Sequence, residues 1–131
     1  TEVYPSDFYP KIHFVLTGAN HLKEAIPGAP NPFTLLAAQD KPLYHALCVL
    51  GGNLPLLLWQ KMQHGLGALG VPQSASDLYL RQVQENYFRL GFAALTGPLA
   101  RKDFVTIEKN LSALSGDPYQ KIYSSFLEAC Q

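Results

Sequence analysis

Three polar side chains interrupt an otherwise apolar stretch between Asp40 and Asn53. Lys41 and His45 are four residues apart, so on a helix both side chains project to the same side, one turn apart. Asn53 follows about two turns later, roughly on that side. A lysine desolvated by burial and a histidine can each transfer a proton, and polar groups along a buried helix must pair or meet a ligand. The spacing therefore indicates a site with Lys41 and His45 as candidate catalytic residues and Asn53 as a candidate substrate-binding residue.

The same three residues also have a structural interpretation. Lys41, in the first turn of the helix, can extend to solvent, and His45 can form a hydrogen bond within the core. Asn53 follows Gly51 and Gly52 and can bind the backbone at a bend. The sequence leaves both interpretations open.

A second polar cluster occupies Leu95–Asp103. The two-pronged guanidinium of Arg101 suits a carboxylate or a phosphate, and Thr96 can cap the turn that follows it. The alternative for Arg101 is an ion pair with Asp103 or Glu108. We treat Thr96 and Arg101 as candidate substrate-binding residues.

Asn86 lies on the second predicted helix, among apolar positions. Its amide is either satisfied within the core or lines a site. The complete set of candidate substrate-binding residues is Asn53, Asn86, Thr96 and Arg101.

Other kinds of site find little support in the residue pattern. Gly65–Gly70 matches the string G-x-G-x-x-G, but an apolar helix precedes it and Val71-Pro72 follows, so we interpret it as the loop at a helix C-terminus. His13, His21 and His64 show no metal-ligand spacing with one another or with the cysteines, so we expect no metal site.

The elements that must position these residues are mainly helices. Apolar residues at helical spacing predict four main helices. The first runs from an Asp40 cap to about His64, with a bend near Gly51–Pro55. The second begins at a cap on Ser74 or Ser76. The third is capped by Asp103, and the last restarts at Asp117 as its cap with Pro118 in its first turn. The predicted fold class is an all-α helical bundle of about four to six helices.

Residues 1–33 differ from the rest because they contain half of the prolines. Lys11–Thr17 is the one stretch with strand character, and an isolated strand is not stable. We therefore interpret residues 1–33 as a linker or the tail of a preceding domain, with a short extended lead-in, and residues 34–131 as the helical domain.

The amino-acid composition indicates which kinds of partner and location suit this protein. Only 15% of the 131 residues are charged while 47% are apolar, so we expect part of the surface to be covered by a partner subunit or a neighbouring domain. Ten basic and ten acidic residues give a net charge of zero, so the composition does not predict a basic surface for binding nucleic acid.

The two cysteines favour a reduced, cytoplasmic location. Gly51, Gly52, Asn53 and Pro55 interrupt the longest apolar run, so we predict no membrane span.

Two motifs carry a family resemblance: Lys41-Pro-Leu-Tyr-His-Ala, followed by Gly-Asn53, and Ala94-Leu-Thr-Gly-Pro-Leu-Ala-Arg-Lys-Asp103. With them, residues 33–130 resemble the C-terminal helical domain, the domain of unknown function 2520, of an uncharacterised family with a Rossmann-like N-terminal domain. That layout is similar to the 6-phosphogluconate dehydrogenase, β-hydroxyacid dehydrogenase and ketopantoate reductase group.

The resemblance implies the C-terminal dimerisation and substrate-cleft domain of an NAD(P)-dependent oxidoreductase that acts on a small molecule. In the β-hydroxyacid dehydrogenase and ketopantoate reductase groups, the first long helix of this domain carries a proton-transferring lysine and, four residues later, a substrate-orienting asparagine. Lys41 matches the lysine, but His45 stands at the asparagine position. A histidine there can relay a proton itself or mark a different reaction.

The nucleotide-binding half is not found in these 131 residues. We therefore expect NAD or NADP to bind only with the N-terminal Rossmann-like domain and not to this chain alone. The alternatives are a non-catalytic helical dimerisation or interaction module, and a regulatory domain that binds a small molecule.

Overall fold

The computed structural model describes residues 4–130, which are mainly helical with two short strands. The predicted all-α class with a strand lead-in is confirmed. The chain forms two compact units, Thr1–Gly65 and Leu66–Gln131.

In the first unit, a 3₁₀ turn (Tyr9–Lys11) precedes a small parallel sheet. Strand β1 (Phe14–Leu16) lies inside the predicted strand region and pairs with β2 (Phe33–Leu35), Val15 being opposite Thr34. The connection between them contains the short helix α1 (Leu22–Ala25), whose Leu22 is buried. Strand β2 was not predicted, because it is only three residues long and follows closely on Pro30 and Pro32, which favour turns.

The predicted long helix of the first unit is confirmed with one irregularity. Helix α2 (Lys41–Cys48) continues through a π-helical turn (Val49–Asn53) into α3 (Leu54–Ala68). In the π turn the backbone N–H of Leu54 donates to the carbonyl of Val49, five residues earlier. Pro55 explains this position, because it has no N–H to donate to Gly51 and its ring would crowd the carbonyl of a regular α-turn.

Both predicted ends of this helix needed correction. The Asp40 side chain makes no capping hydrogen bond, because a 3₁₀ turn (Ala38–Asp40) leads directly into α2 and already engages the first N–H groups. At the other end, α3 extends beyond His64 to Ala68, so Gly65 and Gly67 are helical and the loop begins only after them.

The second unit contains the long helix α4 (Gln73–Leu90), followed by a 3₁₀ turn (Gly91–Ala94). The serine caps predicted for α4 were wrong. Pro72 occupies the cap position, and Ser76 is buried inside the first turn with its hydroxyl donating to the carbonyl of Gln73 at 2.8 Å.

Three further helices complete the second unit: α5 (Gly97–Ala100), α6 (Phe104–Ala113) and α7 (Tyr119–Ala129). The predicted Asp103 cap is confirmed, since its Oδ1 accepts the backbone N–H of Thr106 at 3.1 Å. The predicted start of the last helix is shifted by one residue: Pro118 occupies the cap position of α7 rather than its first turn, while Asp117 Oδ1 accepts the backbone N–H of Tyr119 at 2.9 Å.

Few side chains in residues 4–130 are buried: Leu16, Leu22, Ser76 and Ile107. The expectation that α2 is a buried helix was wrong for the single chain, where every residue from 41 to 53 is exposed.

Residues Ala38–Ala68 form one helical stretch that is long and apolar enough, by length and composition alone, to cross a membrane. None of the most apolar 18-residue segment of this stretch is buried. The prediction that it does not span one remains a prediction.

Candidate functional site

One face of α2 carries four side chains capable of proton transfer or nucleophilic chemistry. Lys41, Tyr44, His45 and Cys48 follow the spacing i, i+3, i+4, i+7, which places them on one side of the helix. All four are exposed in the chain. The helix therefore presents a continuous polar face opposite the apolar positions Leu43 and Leu47.

The π turn brings Asn53 into phase with this face. Asn53 comes eight residues after His45, which in a regular α-helix would rotate it away from the face. A π turn adds one residue to the helix, so Asn53 takes the position that the seventh residue would occupy in an uninterrupted helix. Lys41, His45 and Asn53 thus share one side of the helix.

Tyr44 and Cys48 form a pair within this face. A hydrogen bond with the Cys48 side chain raises the pKa of the Tyr44 phenol, with smaller contributions from the Cys48 charge and from desolvation. Tyr44 therefore stays protonated as a donor at neutral pH. Neither residue was singled out from the sequence, although their positions relative to Lys41 and His45 were a signal that could have found them.

A cleft of about 420 Å³ lies within the second unit, and we call it the α4 cleft. It brings together two predicted substrate-binding residues, Asn86 and Thr96. Its lining residues are Tyr79, Gln82, Val83, Asn86, Tyr87, Gly91, Phe92, Ala94, Leu95 and Thr96. Aromatic rings and neutral hydrogen-bonding groups dominate this lining.

Asn86 is half-buried and already partly engaged. Its Oδ1 accepts from Gln82 Nε2 at 3.1 Å and from Arg89 Nη2 at 3.4 Å. Both contacts use Oδ1, so the two N–H donors of Nδ2 are not used by them. Both interpretations of Asn86 apply, because its side chain lines a cleft and is also hydrogen-bonded within the chain.

Arg101 is not part of the α4 cleft lining. Its side chain is exposed just after α5, and among residues 4–130 no carboxylate lies within ion-pair distance of it. The side-chain and backbone hydrogen bonds from Thr106 are the main causes that lower the pKa of the Asp103 carboxyl, and the charge of Arg101 adds a smaller effect. The alternative of a direct ion pair with Asp103 is therefore not observed in this part of the chain.

The described residues do not fit a nucleotide's pyrophosphate at Gly65–Gly70. Gly65 and Gly67 lie in the last turns of α3, and the N–H groups of Gly70 and Val71 are used by the carbonyls of Gly67 and Leu66. The end of a helix presents the negative end of its dipole, which disfavours phosphate. Within residues 4–130, no group of three or more His, Cys, Asp or Glu side chains is placed to hold a metal ion.

Comparisons with known proteins identify the family but not the activity. No curated protein matches this sequence. The chain is similar in structure to protein TM1727 from Thermotoga maritima, with a TM-score of 0.76 and 18% sequence identity over 95% of this chain. The chain spans about half of that protein, 53% of its length. The family described as "Domain of unknown function (DUF2520)" matches residues 16–129, and the chain belongs to this family.

Proposed function

We propose that this chain is the C-terminal dimerisation and substrate-cleft domain of an NAD(P)-dependent oxidoreductase that acts on a small molecule. The observation that carries the proposal is the face of α2 on which Lys41, His45 and Asn53 lie in phase. Lys41 would exchange a proton with the substrate oxygen, and His45 would relay it. Asn53 would orient the substrate from the next turns of the helix.

The position of Lys41 supports a functional role. It is the first residue of α2, where a positive charge meets the positive end of the helix dipole. Helix stability alone therefore does not favour a lysine at this position. Neighbouring Tyr44 adds a protonated hydroxyl to the same face, where it is hydrogen-bonded to Cys48.

The small sheet supports a preceding α/β domain. Two parallel strands of three residues each are not stable on their own, and parallel strands with a helical crossover are typical of larger α/β sheets. This chain covers 53% of the T. maritima protein, so the unmatched part of that protein is long enough to form such a domain. We infer that β1 and β2 extend a sheet of a nucleotide-binding domain, which would supply the hydride-transferring cofactor.

The exposed apolar residues support dimerisation. Leu43, Leu47 and Leu50 are 64%, 58% and 57% exposed, and they recur at helical spacing. Soluble monomers rarely expose contiguous apolar patches of this kind. A second copy packed on this face would bury them, in keeping with a cytoplasmic homodimer, whereas Lys41, His45, Asn53 and Pro55 weigh against a membrane span.

Calorimetry with NADH and NADPH on the full-length protein tests the proposal. We expect saturable binding of at least one cofactor to the full-length protein and none to the 131-residue chain. The absence of binding of both cofactors to the full-length protein would refute the oxidoreductase hypothesis.

A second candidate is a helical interaction module without catalysis. The large exposed apolar surface of the chain favours it, because that surface needs a partner but no chemistry. The same calorimetry separates the two, since this module dimerises without binding a nicotinamide cofactor. A small-molecule-binding regulatory domain would instead use a cleft of the second unit, such as the α4 cleft.

A further inference from the structure

A second cavity of the Leu66–Gln131 unit, which we call the α6 groove, encloses about 580 Å³. Its lining residues are Phe92, Leu95, Leu99, Ala100, Lys102, Phe104, Ile107, Leu127 and Cys130. Apolar side chains make up almost all of this lining, and the volume lies within the range of about 300–1,000 Å³ that is usual for ligand pockets. An apolar ligand segment therefore fits the groove in both size and polarity.

Lys102 supplies the one charged group of this lining. Within residues 4–130 it is the non-glycine residue with a positive φ, 55°, a conformation that most side chains avoid. The turn between α5 and α6 fixes this conformation through the backbone N–H of Lys102, which donates to the carbonyl of Leu99 at 3.1 Å. The backbone of Lys102 is thereby fixed at the edge of the apolar groove, within reach of which its ammonium can extend.

The charge of Lys102 is not neutralised by its neighbour Asp103. Both carboxylate oxygens of Asp103 accept hydrogen bonds from Thr106, one from its backbone N–H at 3.1 Å and one from its hydroxyl at 2.7 Å. In the part of the chain that is described, no carboxylate forms an ion pair with Lys102. A buried apolar ligand bearing one negative charge would complement this arrangement.

We propose that the α6 groove binds an amphipathic monocarboxylate, with its hydrocarbon chain along Leu99, Phe104 and Leu127 and its carboxylate on the Lys102 ammonium. The proposal goes beyond the proposed oxidoreductase function, because the candidate residues Lys41, His45, Asn53, Asn86, Thr96 and Arg101 do not line this groove. Its test requires no nicotinamide cofactor, so its outcome is independent of the oxidoreductase proposal.

The two cysteines give a site-specific test. Cys130 lines the groove, whereas Cys48 lies on α2 and serves as the internal control, and both thiols are free and exposed. The 131-residue chain is treated with iodoacetamide at increasing concentrations of decanoate, kept below its micelle concentration, and alkylation of each cysteine is followed by mass spectrometry. We expect decanoate to slow alkylation of Cys130 in a saturable way and to leave Cys48 unchanged.

A matched pair of variants tests the charge. Lys102→Asn removes the ammonium but keeps a residue that tolerates positive φ, so the turn should be retained, as circular dichroism can check. The control Lys109→Gln removes one positive charge from an exposed position on α6. We expect Lys102→Asn to weaken decanoate binding about three- to tenfold, toward the affinity for the neutral probe decanol, and Lys109→Gln to change it little.

Three results would overturn the proposal. The first is a lack of saturable protection of Cys130 by decanoate. The second is equal binding of decanoate by the wild-type chain and by Lys102→Asn. The third is protection of Cys130 that rises with protein concentration in the absence of decanoate, because a second copy would then cover the groove.

Discussion

At the scale of single residues, Lys41 is the side chain that most directly links the proposed function to an experiment. We expect Lys41→Ala in the full-length protein to lower turnover by about 10²–10⁴-fold, the usual contribution of a general acid or base. Helicity should be unchanged, because Lys41 is exposed and lies at the helix start. Steady-state kinetics and circular dichroism measure the two effects, and Lys109→Ala serves as the control.

A loss of helicity in Lys41→Ala, with turnover falling only as far as the folded fraction falls, would instead identify Lys41 as a structural residue. His45→Asn is the informative companion variant, because it introduces the asparagine that the proposed oxidoreductase function would expect at this position. Retained turnover in His45→Asn would show that an orienting amide is sufficient at this position and that proton relay is not required.

Asp103 gives a prediction about stability and pH. Hydrogen bonds from Thr106 lower the pKa of its carboxyl in the folded state, so the ionised cap stabilises the fold above the ordinary carboxyl pKa. That stabilisation is lost as the pH falls through the folded-state pKa. We expect Asp103→Ala to lower the melting temperature by a few degrees at pH 7, and the difference from wild type to shrink below about pH 4.

Asp103→Asn is the control for this effect. Its amide oxygen can cap the helix at any pH, so its melting temperature should stay near that of wild type at pH 7 and should depend less on acid. Thermal denaturation of the three proteins across pH 2–7 provides the test. A constant difference between wild type and Asp103→Ala at every pH would contradict the role assigned to the carboxylate.

At the scale of elements, the end of α3 offers two glycines with opposite expected behaviour. Gly67 lies inside the helix, where an added Cβ meets nothing within 4 Å, so Gly67→Ala should stabilise the protein by about 0.5–1 kcal/mol. Gly70 follows the helix with φ of 82°, so Gly70→Ala should destabilise it by about 1–2 kcal/mol. Urea denaturation of both variants measures the two free energies of unfolding.

Effects of the same sign in both variants would mean that the helix does not end between these two positions. The result also bears on the motif Gly65–Gly70, which ends a helix in this structure. A phosphate-binding loop would need Gly70 ahead of a helix N-terminus, whereas here Val71 and Pro72 separate it from α4.

At the scale of the whole molecule, the exposed apolar face of α2 predicts self-association. We expect sedimentation to show a dimer, and Leu47→Lys to shift it toward monomer because the charge would be buried in the interface. Leu69→Lys is the control, since Leu69 is 81% exposed and lies in the loop after α3. A wild-type chain that remains monomeric at high concentration would contradict the dimer proposal.

The sequence alone determined the features that depend on neighbouring residues. Helical spacing of apolar residues, the Asp103 cap and the glycine and proline breaks act within a few residues, so they predicted the helical class and most helices correctly. The resemblance of Lys41–Ala46 and Ala94–Asp103 similarly identified the domain of unknown function that matches residues 16–129.

The tertiary structure decided what depends on contacts between distant residues or on small changes in helix phase. Strand β2 exists because Thr34 pairs with Val15 across the sheet, and no local pattern specifies that pairing. The π turn adds one residue to the helix, and this addition places Asn53 on the same side as Lys41 and His45. The α4 cleft likewise joins Asn86 and Thr96 because the chain turns at Gly91, where φ is 57°, and such a reversal is set by packing as well as by sequence.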